Sequence, residues 1–339
     1  MTQPNETVLL AHGGGGRLTH ELIDRVFLPR LDSPALREQG DSAVLPLGDG
    51  ARVALTTDSY VVRPLFFPGG DIGRIAVCGT VNDLAVAGAR PLYIAAAFIV
   101  EEGLPIETLR AVADSMRDAA AEAGVQIVTG DTKVVERGSA DGLFITTSGV
   151  GLVPTGVEIA ANRARPGDRI IVSGSIGDHG IAIVSKRSGL EMETEVASDV
   201  APLNGLVAAM LETGADVRAV RDATRGGVAS VLNEIAKASG VTMLGEESRL
   251  PVHGPVRAAC DLLGYDPLYV ANEGKFIAVV AAADAERVVA ALRGLRYGEE
   301  ATIIGEVKAE PKGRVLLRTG IGGTRIVAMP SGELLPRIC

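Results

Sequence analysis

The sequence predicts two α/β domains of comparable build, and three observations carry that expectation. The chain has 339 residues, enough for two domains of ordinary size, each with a core of its own. Apolar strand-like runs alternate with helix-spaced segments along most of it, the signature of packed α/β layers. The 42 glycines cluster beside acids at the ends of those runs, in both halves.

Residues 1–40 read as an N-terminal arm and helix. Val8 to His12 is followed by four glycines, Gly13 to Gly16, and then Thr19 to Phe27 places Leu22, Ile23, Val26 and Phe27 on one helical face. A glycine run entering a helix can wrap phosphate with its N–H groups. A flexible arm has the same composition. Residues 41–156 form the first domain, on a mixed or antiparallel sheet. Ala43 to Leu47 and Arg52 to Thr57 are strands about the turn Gly48-Asp49-Gly50, with Asp58 closing the second. A helix over 72–86 carries Asn82 and Asp83 and stops at Gly88 and Pro91. Leu92 to Val100 is a strand, 105–123 a helix closed by Gly124, and 125–129 a strand that breaks at Gly130-Asp131-Thr132-Lys133. Leu143 to Val153 is the last strand of this half.

Residues 157–310 form the second domain, entered through a linker ending Arg165-Pro166-Gly167-Asp168. A strand at 169–173 runs into Gly174-Ser175-Ile176-Gly177-Asp178-His179-Gly180 and a helix. Asp222 opens a helix through Arg225-Gly226-Gly227, with Val228, Val231, Leu232 and Ile235 on one side. Asn272-Glu273-Gly274-Lys275 precedes a strand at 276–281, and a helix starts near Asp284. Residues 311–339 read as a flexible C-terminal tail with hairpin-like strands at 314–318 and 324–328, ending in Cys339.

Composition narrows the function. Aromatic residues are 3% of the chain, there is no Trp, and the net charge is −9, which argues against a nucleic-acid partner that needs a basic face and stacking rings. No run approaches 18 apolar residues, so no membrane span is expected. The first residues lack the basic start and apolar stretch of a signal peptide. Cys78, Cys260 and Cys339 are odd in number and far apart, which fits reducing cytoplasm better than a disulfide framework or a zinc site. Cys78 and Cys260 lie in apolar helical contexts and read as core.

Five acids share glycine-adjacent positions at element ends: Asp49, Asp58, Asp83, Asp131 and Asp222. Hard carboxylates beside glycine turns suit Mg²⁺ carrying a nucleotide, although any one of them could simply cap a helix or fill a turn. No Gly-x-x-x-x-Gly-Lys-Ser/Thr loop is present, and His12-Gly-Gly-Gly lacks the Gly-x-Ser-x-Gly that would make it a lipase motif. Cys339 sits beyond a loop-like stretch at 329–333. A ten-residue extended tail spans about 33 Å, so its thiol could travel between sites.

Gly48-Asp49-Gly50-Ala51, Thr57-Asp58-Ser59, Asn82 to Pro91 and Gly130-Asp131-Thr132-Lys133-Val134-Val135 resemble the ATP-binding motifs of the aminoimidazole ribonucleotide synthetase (PurM-like) superfamily, which includes selenophosphate synthetase and thiamine-monophosphate kinase. Within it, His12 and the following glycines, Asn272 to Lys275 and Pro336-Arg337-Ile338-Cys339 are similar to the hydrogenase-maturation carbamoyl dehydratases, the HypE family. Gly50 departs from relatives that carry a second acid there. The resemblance implies a two-domain PurM-like ATP-binding fold, and a homodimer by analogy. It implies that a HypF-type carbamoyltransferase loads Cys339, that ATP drives dehydration of the thiocarbamate to a thiocyanate, and that a HypC–HypD complex takes the cyanide to hydrogenase iron. Asp49, Asp58, Asn82, Asp83, Gly130, Asp131 and Asp222 are then the expected nucleotide contacts, with Asp49, Asp83, Asp131 and Asp222 on Mg²⁺. Glu273 is the expected base and Lys133 the phosphate or oxyanion partner, with His12 and His179 as substitutes. A small-molecule synthetase or kinase of the superfamily and a nucleotide-regulated carrier are the other readings.

Overall fold

The structure, a computed structural model, describes residues 7–31, 33–189, 195–332, 335 and 337–339. Pro336 of the terminal motif and Glu333 of the preceding loop lie outside the described residues.

Short helices α1 (Arg17–Leu22), α2 (Leu28–Leu31) and α3 (Pro34–Arg37) form the N-terminal region, with Ile23–Phe27 as a wide helical turn between the first two. The first domain contains β1 (Ala43–Gly48), β2 (Ala51–Tyr60), the small hairpin β3 (Phe66–Phe67) and β4 (Gly70–Asp71), α4 (Ile72–Val86), β5 (Arg90–Glu101), α5 (Ile106–Ala123), β6 (Gln126–Val135) and β7 (Leu143–Val153). Its sheet runs β1-β2-β7-β5-β6. All neighbours are antiparallel except β5 and β6, which are parallel, so the sheet is mixed.

α4 fills one face of this sheet. Asp71 caps it by accepting from the N–H groups of Gly73 (2.7 Å) and Arg74 (3.1 Å), and nearly every side chain along it is buried. The other face is bare. Leu55, Tyr93, Ile99 and Leu152 stand exposed there, and β6 is exposed along almost its whole length. The expected break at Gly130 does not occur: β6 continues to Val135. Gly130 is required because a Cβ there would collide with the Ala96 carbonyl on β5.

The second domain holds β8 (Arg169–Val172), α6 (Asp178–Ser188), α7 (Asn204–Glu212), β9 (Val217–Asp222), α8 (Gly227–Ser239), β10 (Thr242–Glu246), α9 (Gly254–Leu263), β11 (Phe276–Val280), α10 (Ala285–Arg293), β12 (Thr302–Lys308), β13 (Arg314–Arg318) and β14 (Thr324–Ile326). Its sheet runs β14-β13-β10-β12-β8-β11-β9. Two boundaries move as a result. Residues 314–326, expected within the tail, belong to this sheet, because β13 pairs in parallel with β10. Asp222 ends β9 rather than opening α8, which starts at Gly227.

The two domains meet along α4. Asn82 donates from Nδ2 to the carbonyls of Ala201 (3.1 Å) and Glu273 (3.3 Å), and its Oδ1 accepts from the N–H of Leu203 (2.8 Å). Ser198 N–H donates to Pro68 O (2.8 Å) and Arg74 Nε to Val200 O (3.2 Å). Residues 198–203 thus form a strap of the second domain laid on the first. Cys78 and Cys260 are both fully buried in the core between α4, α5, α6 and α9.

Candidate active site

Four elements converge where the domains meet. β2 delivers Asp58 and Tyr60, the last turn of α4 delivers Asp83, the end of β9 delivers Asp222, and the loop before β11 delivers Glu273. With Asp41, Thr57, Gly79, Thr224 and Arg225 they line a cavity of about 200 Å³, and the remaining wall is Cys339. The tail expected as a free tether is docked in this structure.

Its docking is built mainly on backbone. Val61 N–H donates to Cys339 O (3.0 Å) and Arg63 N–H to Arg337 O (3.3 Å), the alternation of a strand laid against an edge. Between them, His179 Nε2 lies 2.8 Å from Ile338 O, with Nδ1 2.8 Å from Ser198 Oγ. Arg187 Nη2 donates to Arg63 O and to Arg337 O, 2.7 Å each. Ile338 and Leu335 are buried in the core. Arg337 pairs with Asp141, donates from Nε to Val61 O (3.1 Å) and lies 6.0 Å from the Phe144 ring centroid.

The cavity is acidic and poorly solvated. Burial pushes the Asp83 and Asp222 carboxyls well above the carboxylate range; the charges of Asp222, Asp58 and Asp41 push Asp83 further up, and those of Asp41 and Asp58 do the same to Asp222. Glu273 is only 2% exposed, its Oε1 finds no hydrogen-bond partner among the described residues, and burial followed by the charges of Asp222, Asp199 and Asp58 raises its pKa strongly. Arg225 opposes that shift. The Arg225 guanidinium is itself held protonated first by the charge of Cys339, then by Asp58 and Glu273, and its Nη1 donates to Gly13 O (3.1 Å). Glu273 and Cys339 line the same cavity, and a carboxyl of raised pKa, once it has lost its proton, is a stronger base than an ordinary carboxylate.

The expected site residues divide. Asp58, Asp83, Asp222, Glu273 and Cys339 share the cavity; Asp49, Gly130, Asp131 and Lys133 do not line it. Asp49 sits at the exposed β1–β2 turn with φ +48°. Gly130 aligns with Asp58 through Ala96 and Thr147, three strands away, about 14 Å at the usual strand spacing. Asp131 and Lys133 pair with each other at 2.6 Å, both exposed, in register with Ala97 and Ile99 of β5. They therefore belong to the bare face. Asn82, expected on nucleotide, has its amide engaged by the strap at Ala201 and Leu203 and by the Glu273 carbonyl. Among the described residues His12 bonds only to its own turn at Leu9, His179 holds the tail, and neither lines the cavity.

The four acids expected on one metal are thus split, and among the described residues no group of three or more His, Cys, Asp or Glu is arranged to hold an ion. Of those four, Asp83 and Asp222 remain together, and Asp58, expected on nucleotide only, lines the same cavity; these are hard oxygens whose charges a cation arriving with other ligands would offset. That donor set fits Mg²⁺ brought with phosphates and water, which needs few carboxylates. Sequence reasoning missed Asp41 and Tyr60, which carry no motif, and Arg225, whose signal was its place between Asp222 and Gly226. Beside the cavity, and sharing Asp41 with it, lies a groove of about 970 Å³ whose lining includes Arg37, Arg52, Arg163 and Arg221.

Comparison with known proteins bears on this arrangement. The models of the AIR synthase related protein N-terminal and C-terminal domains match residues 39–153 and 165–318. A carbamoyl dehydratase HypE of Cupriavidus necator is 55% identical over 330 residues, covering 97% of this chain and 94% of that protein. The chain belongs to the HypE family. A solved HypE–HypF complex contains a chain 49% identical with a TM-score of 0.87, over 91% of this chain and 99% of that one. A solved hydrogenase maturation protein HypE in complex with ATP is 48% identical with a TM-score of 0.83, over 98% of this chain and 100% of that one. The two-domain PurM-like fold expected from the motifs is therefore the fold of this HypE-family chain. Among its described residues no helix is long and apolar enough to cross a membrane.

Proposed function

We propose that this protein dehydrates an S-carbamoyl group on its own Cys339 to a thiocyanate at the expense of ATP, supplying cyanide for the iron of nickel–iron hydrogenase. The observation that carries the reading is the placement of Cys339 and Glu273 in one cavity with Asp58, Asp83 and Asp222. A HypE named carbamoyl dehydratase and a HypE bound to ATP, both near 50% identity, support it.

The thiocarbamate S–CO–NH₂ must lose oxygen and two N–H protons to become S–C≡N. Carboxamide oxygen leaves badly as hydroxide and well as phosphate, so its attack on the γ-phosphorus of ATP releases ADP and activates the carbon. Glu273 then takes one nitrogen proton as the C–O bond breaks; a second proton leaves to solvent, and the oxygen departs in inorganic phosphate. The buried Glu273 suits that role because a carboxylate of high proton affinity is a stronger base. Arg225 balances negative charge as it builds beside the sulfur. The phosphates lie towards Asp58, Asp83 and Asp222, with the nucleoside in the adjoining groove. Mg²⁺ held by those carboxylates would neutralise the transferring phosphoryl group.

Lys133 enters this scheme only from a second copy. The bare apolar face of the first sheet and its two exposed edges, β1 and β6, are the surface through which a homodimer would pack, and Lys133 lies on it. Loading of Cys339 falls to a HypF-type carbamoyltransferase, consistent with a relative solved as a HypE–HypF complex, and cyanide is passed to a HypC–HypD complex.

Intact-mass spectrometry after incubation with the carbamoyltransferase, carbamoyl phosphate and Mg-ATP tests the reading. One carbamoyl adduct on the peptide containing Cys339, losing the mass of one water only with ATP, is the expected result. An adduct that persists with ATP, or appears in Cys339→Ala, overturns it.

A further inference from the structure

Tyr60 stands in the cavity wall with Glu273 and Cys339, and all three bear on the Arg225 guanidinium. The chemistry above makes no use of it. Its ring is buried, and its hydroxyl is seated over Gly79, where any Cβ would collide with Oη. Among the described residues the hydrogen-bond partner of that hydroxyl is Thr80 Oγ1, 3.5 Å away. Thr80 Oγ1 is paired in turn with Thr147 Oγ1, and Thr147 Oγ1 donates to Ala76 O at 3.4 Å. Both threonines are fully buried.

The far end of this chain fixes its direction. A carbonyl only accepts, so Thr147 spends its one proton on Ala76 O and must accept from Thr80. Thr80 then accepts from Tyr60. With every buried hydroxyl donating once, the Tyr60 proton points into the protein and an oxygen lone pair is left for the cavity. Burial, followed by the charges of Asp58 and Asp83, pushes the hydroxyl well above the usual tyrosine range, so the proton stays on it. Because the chain stops at a helix carbonyl it offers no exit for a proton. It holds the hydroxyl in one orientation.

We propose that Tyr60 Oη accepts one N–H of the carbamoyl group on Cys339 and so orients that amide for dehydration, an assignment that rests on the function proposed above. The carbamoyl nitrogen carries two N–H donors. Glu273 takes the proton of one, and the planar amide is fixed about its S–C bond when the other is held as well. A neutral oxygen suits that second N–H, because it accepts a hydrogen bond without drawing the proton off.

Potassium cyanate labelled with ¹³C and ¹⁵N tests this on the full chain with neither ATP nor a carbamoyltransferase. The thiol adds to isocyanic acid, sulfur bonding to carbon and the thiol proton passing to nitrogen, which leaves S–CO–NH₂. The amide signal absent from Cys339→Ala is the one to read in ¹H–¹⁵N spectra. Wild type should show an N–H proton downfield of free S-carbamoyl cysteine that returns towards the free position in Tyr60→Phe. Thr80→Ser keeps the hydroxyl chain and should match the wild-type frequencies. With the group loaded and ATP added, Tyr60→Phe should lose water about two- to ten-fold more slowly, at unchanged ATP affinity. Identical N–H frequencies in Tyr60→Phe and wild type overturn the proposal, as does a change confined to the carbonyl ¹³C, which would make the hydroxyl a donor to oxygen. Should Tyr60→Phe not fold, Thr80→Val removes the acceptor behind the hydroxyl and keeps the ring; a downfield N–H retained there is equally fatal. Wild type that never loses water with ATP would sink the dehydration and leave the spectra to decide the N–H contact, so the two readings fail separately.

Discussion

Glu273→Gln keeps the side chain's shape and removes its ability to accept a proton. The wild-type carboxyl is almost sealed from water and faces Asp222, Asp199 and Asp58, with Arg225 the opposing cation. A positioned general base contributes about 10²- to 10⁴-fold, which at 1.36 kcal/mol per factor of ten is roughly 3–5 kcal/mol of barrier. Conversion of the carbamoyl adduct to thiocyanate, followed by mass spectrometry at saturating ATP, should slow by that factor while loading of Cys339 proceeds at the wild-type rate. Two pH signatures accompany the loss. Wild-type dehydration should climb as pH rises, because the folded-state pKa is raised and the base must first lose its proton. In the unfolded chain the carboxyl ionises near the ordinary value of about 4.3, so the folded protein loses stability as pH climbs from there through the raised folded pKa. Gln carries no such penalty. Glu273→Gln should melt above wild type at pH 7–8, with the gap closing below about pH 4. A variant that dehydrates within about three-fold of wild type, or a melting gap that is the same at every pH, refutes the assignment.

Asn82→Ala removes three buried hydrogen bonds and orphans their partners, so it should cost about 3–5 kcal/mol in urea unfolding; a melt unchanged from wild type with weakened ATP binding would restore Asn82 to the nucleotide. Lys133→Ala and Cys339→Ala should each be inactive, yet a refolded equal mixture should recover about a quarter of wild-type dehydration, since half the dimers are mixed and each holds one intact site; no recovery would place Lys133 outside the reaction. Arg187→Ala frees the carbonyls of Arg63 and Arg337, and alkylation of Cys339 by iodoacetamide should quicken several-fold; an unchanged rate would mean that the backbone pairing with Val61 and Arg63 holds the tail without it.

The first domain was nearly transparent to sequence reasoning. Its strands carry β-branched and apolar runs broken by Gly48-Asp49-Gly50 and by Gly88 and Pro91, and α4 spans 72–86 as the pattern indicates. Where reading failed, a tertiary partner decided the outcome. Gly130 looks like a strand end, but without a side chain it lets β6 press against Ala96, so the strand runs on. β13 looked like tail because β10, its partner, lies some seventy residues earlier. The acids are the sharper case. Glycine neighbours made Asp49, Asp58, Asp83, Asp131 and Asp222 look alike, yet only the fold tells which end of a strand opens on the cleft and which on the bare face. Asn82 looked like a ligand for the same reason: nothing local reveals that a strap from residue 201 will occupy its amide.

That strap also bears on which part of the protein would travel in the proposed function. It crosses from one domain to the other on side-chain and backbone bonds at Pro68, Arg74 and Asn82, and Gly274 lies so close beneath it that any Cβ would overlap the Asp199 carbonyl. Each of these bonds would have to break for the jaws to swing apart. Under the proposed function the shuttle is then a few residues of low mass, released by breaking a short ladder of hydrogen bonds and vacating one isoleucine socket. Its cycle time is governed by peeling and re-zipping a strand and by how long each partner keeps hold of it, with both catalytic walls waiting in place.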